Sequence, residues 1–245
     1  MNPSSDVFGR ALLDWAKGGT QIEVLEREDG FTQEGAGPDV YLASFRDWPA
    51  CERQSIRHLR GRVLDIGCGA GRVALELQRR RLDVVGLDAS PSGAKAAKLC
   101  GVGEVWCAPL HTVREQISSF DTLVLFGNNF GIFANPANAH RQFSMLARHT
   151  SDNAKIAVES TSSYFVGAPA MTRPYYAQNL LRGRAPGQVR VRYRYDNLMG
   201  HWFDWLYVSP REMQQVLRGT GWRQERILAT TRHEPYVAIL TKDKI

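Results

Sequence analysis

Asp65, Gly67, Gly69, Gly71 and Asp88 are the residues whose types and spacing carry chemistry in this chain. The first four lie in V63-L64-D65-I66-G67-C68-G69-A70-G71-R72, a glycine-rich turn behind a short apolar run. Turns of this kind usually present backbone amides and a helix N-terminus to a phosphate. A dinucleotide loop, G-x-G-x-x-G, needs its third glycine where Arg72 stands, and no G-K-[S/T] ending of a phosphate loop follows. An acid two residues before the first glycine repels a diphosphate and suits a ligand carrying positive charge. Asp88 ends the next apolar run, where an acid accepts both hydroxyls of a ribose. The plain alternatives are a tight strand-to-helix turn without a ligand, and a strand-end Asp that caps the next helix.

The elements that must position these residues alternate. Strand patterns cover 62–66, 83–88, 104–107, 120–126 and 155–159, and helical patterns cover 72–80, 90–99 and 135–149. Ser90 with Pro91, and Ser209 with Pro210 and Glu212, are helix starts. Strands that alternate with helices predict a parallel sheet covered on both faces, with ligands at the carboxyl ends of its strands. Residues 1–60 read as a mostly helical cap, 61–160 as the α/β core, 161–208 as an insertion and 209–245 as completion of the core. Within the insertion, Q188-V189-R190-V191-R192-Y193-R194-Y195 alternates strictly and H201-W202-F203-D204-W205-L206-Y207-V208 returns, which predicts a β-hairpin. Segments 222–228 and 236–241 are the last two strands.

A positively charged adenosine without phosphate is S-adenosylmethionine. The pair V63-L64-D65-I66-G67-C68-G69-A70-G71 and G86-L87-D88 resembles class I S-adenosylmethionine-dependent methyltransferases, most clearly over about residues 40–160. The resemblance implies a Rossmann-like, doubly wound, seven-stranded and mostly parallel sheet whose last strand is antiparallel, with the hairpin as a lid. It implies that Asp65 and the backbone of Gly67, Cys68, Gly69 and Gly71 face the methionine half of the cofactor, and that Asp88 takes the ribose. Many members place an acid after the third strand to meet the adenine. Here W106-C107-A108-P109-L110 has none, which leaves backbone groups and packing from Ala89, Ala108 and Leu110. Tyr41 is the candidate for an N-terminal tyrosine folded over the cofactor; a plain packing aromatic is its alternative.

Methyl transfer is an in-line displacement that needs nucleophile and methyl held at about 3–3.5 Å. Its acceptor side is expected in G127-N128-N129-F130-G131, with Asn128, Asn129 and Phe130 as candidates, and no Pro-Pro of the nucleic-acid base enzymes follows. Glu159, His201 and Asn128 are candidate catalytic groups, with His233 behind them. Tyr164, Tyr175, Tyr176, Trp202, Asp204 and Trp205 make the insertion aromatic and suit a flat organic substrate. Capping or surface roles are the alternatives for Glu159, an Asn-rich turn for Asn128, and a structural or exposed histidine for His201.

The bulk numbers agree. An apolar share of 43% supports a sizeable core, and no run reaches the ~20 apolar residues of a membrane span. No secretory signal is legible, so a soluble cytoplasmic protein is expected, a monomer or homodimer. Four cysteines lack zinc spacing, so reduced thiols and no metal are expected. The net charge of +6 permits an acidic partner without requiring nucleic acid. Arg190, Arg192 and Arg194, with Arg182 and Arg184 nearby, carry the rival RNA or protein methyltransferase reading; a solvated strand face is the alternative. A non-catalytic S-adenosylmethionine-binding protein is a further rival. The expected function is methylation of an N, O or C atom of a small organic acceptor, a specialised metabolite, as in antibiotic or natural-product biosynthesis.

Overall fold

A computed structural model describes residues 6–162, 172–229 and 235–243. In chain order the elements are α1 (Val7–Trp15), β1 (Val24–Arg27), β2 (Thr32–Glu34), α2 (Gly37–Tyr41), α3 (Ala50–Ser55), β3 (Arg62–Ile66), α4 (Arg72–Arg79), β4 (Asp83–Asp88), α5 (Pro91–Cys100) and β5 (Glu104–Cys107). They continue with β6 (Thr122–Leu125), α6 (Pro136–His149), β7 (Lys155–Ser160), α7 (Thr172–Leu181), β8 (Gln188–Tyr195), β9 (Leu198–Met199), β10 (Phe203–Leu206), α8 (Pro210–Leu217), β11 (Trp222–Leu228) and β12 (Tyr236–Lys242).

Seven strands form a sheet in the order β11-β12-β7-β6-β3-β4-β5. The pairs β3–β4, β4–β5 and β6–β7 are parallel, and β12 runs antiparallel to both β7 and β11. This is the expected Rossmann-like sheet. Its helices start where the caps predict. Ser90 Oγ accepts the Gly93 amide at 2.8 Å, Asn135 Oδ1 accepts the Asn138 amide at 2.9 Å, and Ser209 with Glu212 closes a capping box.

The N-terminal 60 residues depart from the helical expectation. β1 and β2 are strands there, and they join a second, antiparallel sheet in the order β10-β8-β1-β2. β1 pairs with β8 from Val24 opposite Arg194 to Arg27 opposite Val191. The predicted hairpin also closes earlier than 201. β9 pairs at once with the end of β8 across Asp196 and Asn197, with Asp196 left-handed at φ 51°.

The chain groups into two compact units. The first holds residues up to 48, 62–113 and 190–203; the second holds 49–61, 114–189 and 204 onward. In the first, the buried apolar residues of β3 and β4 (Val63, Leu64, Ile66, Val84, Val85, Leu87) are covered by α4 and α5. In the second, Phe130, Phe133 and Phe143 pack ring to ring within 5.8 Å beside the apolar strands β6, β7 and β12. Among the described residues no helix is long and apolar enough to cross a membrane.

Candidate active site

The turn from β3 to α4 uses its own amides. Gly67 and Cys68 both donate to the Leu87 carbonyl, at 2.7 and 3.1 Å, and Gly71 donates to the Cys68 carbonyl at 2.8 Å. Gly69 donates to Asp88 Oδ2 at 2.8 Å. The three glycines have φ of 73°, 56° and 88°, a backbone that side chains disfavour. A phosphate cradle needs several of these amides aimed at the ligand. Here all four have a partner inside the protein.

Asp65 completes that arrangement. It is 2% exposed, and its Oδ2 accepts the Ala74 amide, in the first turn of α4, at 3.1 Å. A carboxylate therefore already occupies the positive end of the helix, where a phosphate would bind. This accounts structurally for the acid at the entrance of the turn: Asp65 holds the start of α4.

Asp88, at the end of β4, is half-buried. Its Oδ1 accepts the Ser90 amide and its Oδ2 the Gly69 amide, both at 2.8 Å. Each oxygen keeps a lone pair for a further donor such as a ribose hydroxyl. Burial pushes its carboxyl above the usual aspartate range; the two amides pull it down, and the nearby Asp6 carboxylate pushes it up. Ala108 donates its amide to the Asp88 carbonyl at 3.0 Å, with Ala89 exposed and Leu110 half-buried close by in sequence.

Tyr41 stacks on Trp15 at 5.5 Å and meets Phe8 edge-on at 5.0 Å, so its ring is part of an aromatic cluster around α1. The Cys68 side chain turns onto β4: a Cβ on Gly86 would stand 2.9 Å from its sulfur. Burial, then the charges of Asp65 and Asp88, hold the Cys68 thiol well above its ordinary range.

The second unit contains the acceptor-side candidates. Gly127 and Asn128 follow β6 in left-handed conformation, at φ 71° and 61°. The Gly127 amide donates to Glu159 Oε2 at 2.6 Å and lies 3.4 Å from Glu52 Oε1. Both acids are buried, at 2% and 1% exposure. Asn128 Oδ1 accepts the Thr161 hydroxyl at 2.7 Å. Trp205 lies against the next turn: a Cβ on Gly131 would overlap its indole. Asp204 accepts Gln188 Nε2 at 3.0 Å, and Tyr176 is half-buried beside Tyr175. Asn129 is half-buried. Phe130, expected on the acceptor side, is fully buried and packs on Phe143 in the aromatic core.

His201 is exposed. Trp202 lies under the Arg192 guanidinium at 4.5 Å, and Arg192 also holds Glu26 through two hydrogen bonds of 2.8 and 3.0 Å. Tyr164 and His233 lie outside the described residues. Sequence reasoning missed Glu52 and Asp6. Glu52 falls on the same helical face as Ile56 and Leu59, at i+4 and i+7, which marks a buried acid. For Asp6 there was no local signal, because its partners are far along the chain.

A family model described as a methyltransferase domain matches residues 63–153, from β3 to just before β7. The chain has the fold seen in solved S-adenosylmethionine-dependent methyltransferases. A Bacteroides fragilis enzyme of that description, solved with S-adenosylhomocysteine, is 21% identical; the match covers 99% of this chain and 97% of that one, with a TM-score of 0.79. A Methanosarcina mazei enzyme is 20% identical over 76% of this chain and 96% of its own, TM-score 0.60. A sugar N-methyltransferase from a Streptoalloteichus species is 16% identical over 82% and 89%, TM-score 0.51. No curated protein matches the sequence. The residues of the matched segment fit the cofactor of this fold: internally satisfied amides, Asp65 at the α4 N-terminus and the open lone pairs of Asp88 suit a cationic nucleoside without phosphate.

The thiols give a first test of this environment. Burial, then the charges of Glu159 and Glu52, push the Cys51 thiol up to about 12, burial with Asp65 and Asp88 holds Cys68 well above its ordinary range, and Cys107 is exposed. With a disulfide reagent at pH 8, Cys107 is expected to react first, and Cys51 and Cys68 only after denaturation. Cys107 pairs with Asp88 across β4–β5. S-adenosylhomocysteine is therefore expected to slow the labelling of Cys107. Equal rates with and without it would count against adenosine binding beside Asp88.

Proposed function

We propose that the protein is an S-adenosylmethionine-dependent methyltransferase acting on a small organic molecule. The observation that carries the cofactor half is the turn itself, whose amides are satisfied internally and whose helix N-terminus already holds Asp65. Asp88 accepts the ribose hydroxyls, and Ala108 and Leu110 flank the adenine. The cofactor supplies a methyl group activated by an adjacent sulfonium.

On the acceptor side, Glu159 and Glu52 hold the Gly127 amide, and Asn128 then presents its side chain from a fixed turn. In this reading Glu159 orients the turn, Asn128 binds the acceptor and Trp205 walls the site. His201, exposed, abstracts no proton, and the rate comes from proximity and alignment. A small acceptor is supported by one fold neighbour, the sugar N-methyltransferase above. The setting is specialised metabolism, in the cytoplasm.

An RNA acceptor is disfavoured because Arg192, centre of the arginine row, is engaged by Glu26 and Trp202 rather than held for phosphates. Calorimetry with S-adenosylmethionine, S-adenosylhomocysteine and NAD tests the reading, followed by a labelled-methyl screen of amino sugars, amines, phenols and indoles. Binding of the first two, none of NAD, and label in a small acceptor are expected. NAD binding, or salt-dependent transfer to RNA alone, would overturn it.

A further inference from the structure

We propose that helix α1 is a latched cover over the cofactor turn, and that Asp6 is the positioning residue that keeps it closed. This rests on the cofactor half of the reading above. Asp6 immediately precedes α1, yet its side chain makes no capping bond to that helix. It reaches instead to the start of α5, more than 80 residues on. There Oδ1 accepts the Ser90 hydroxyl, and Oδ2 accepts the Ser92 amide at 3.0 Å. The Ser90 amide in turn donates to Asp88, and Asp88 holds Gly69. One chain of hydrogen bonds therefore links the start of α1 to the acid and the turn that take the cofactor.

Gly9 supports the latch independently. Glycine inside a helix is less favourable than alanine. Here the position needs it, because a Cβ on Gly9 would overlap Ser90 Oγ and Asp6 Oδ1. The helix backbone comes this close only where a side chain is missing. One turn on, Leu12 Cδ1 lies 3.4 Å from where a Cβ on Gly69 would stand, and Val7, Ala11, Leu12 and Trp15 are buried with Ala70 and Ala96. The cover rests directly on the turn, so an adenosine enters or leaves when α1 lifts.

The test uses the full chain and two variants, Asp6→Asn, which keeps the shape and removes the charge, and Gly9→Ala, which raises helix propensity but wedges α1 off Ser90. Amide hydrogen exchange of residues 7–15 is measured without ligand. The exit rate of S-adenosylhomocysteine is then followed in stopped flow by tryptophan fluorescence, to which Trp15 contributes. Faster exchange in α1 and about tenfold faster exit are expected in both variants, in line with loss of a charge-assisted contact. Little change in the melting of the ligand-free protein is expected for Asp6→Asn, which separates a latch from a general loss of stability. Unchanged exchange in α1 overturns the latch whatever the ligand does. Faster exchange with unchanged exit overturns the gating role and leaves the cofactor reading standing. Failure of the unaltered protein to bind S-adenosylhomocysteine defeats the cofactor reading and the proposal with it.

Discussion

Asp88→Ala is expected to lower the affinity for S-adenosylhomocysteine by about a hundredfold or more, which is ~3 kcal/mol. Two losses add. The ribose hydroxyls lose a charged acceptor, at about 1.5–3 kcal/mol for a hydrogen bond to a charged group. The Gly69 and Ser90 amides lose the partners that join turn and helix start, each now at 2.8 Å. The carboxyl also gives the effect a pH signature. Burial raises its pKa in the ligand-free protein, and hydroxyl donors favour its charged form. Affinity should therefore weaken as pH falls through that raised value, since binding must then also remove a proton. Asp88→Ala should lose this dependence. Calorimetry at neutral and mildly acidic pH reads both effects, and undiminished affinity in the variant would remove Asp88 from the cofactor site.

Gly71→Ala is expected to cost about 3 kcal/mol of folding stability, the larger part from packing. Gly71 has φ 88°, where an alanine costs ~1 kcal/mol in conformation alone. Its added Cβ would overlap Val102 Cγ2 and stand 3.5 Å from Ala97 Cβ in α5. Val102 is 4% exposed, so the overlap strains a packed interior, a further 1–3 kcal/mol. Gly30→Ala is the control: Gly30 has φ 86° but nothing within 4 Å of an added Cβ. Urea unfolding should show about 1 kcal/mol for Gly30→Ala and two to three times that for Gly71→Ala. Equal losses would mean that the approach of the turn to α5 is loose. Such looseness would also weaken the case that the spacing of Gly69 and Asp88 is rigidly held.

Much of this architecture was legible in the sequence because its signals are local. An apolar run of five or six residues, a Ser–Pro pair, or a Ser three residues before Glu decides its own strand, cap or helix within one or two turns of chain. β3, β4, β5 and β8 therefore fall on the residues that their patterns mark, and the glycine turn lies between Asp65 and α4 as its spacing requires. The alternation of Arg190, Arg192 and Arg194 with Val191, Tyr193 and Tyr195 is likewise a property of one strand. The pattern of acids and glycines pointed to a phosphate-free cationic nucleoside before any packing was known.

Tertiary structure alone decided the rest, because those features join distant residues. V24-L25-E26-R27 is too short to announce a strand, and it becomes β1 by pairing with β8 more than 160 residues later. Asp65 became the anchor of α4 when the turn folded back and brought the Ala74 amide within 3.1 Å. Glu159 and Glu52 converge on Gly127 because β6, β7 and α3 bring them there, a meeting that no local pattern announces. Asp6 reaches Ser90 and Ser92 only because Gly9 allows α1 to touch α5. Local propensity sets which elements form, whereas burial and the need to satisfy buried polar groups set what their acids hold.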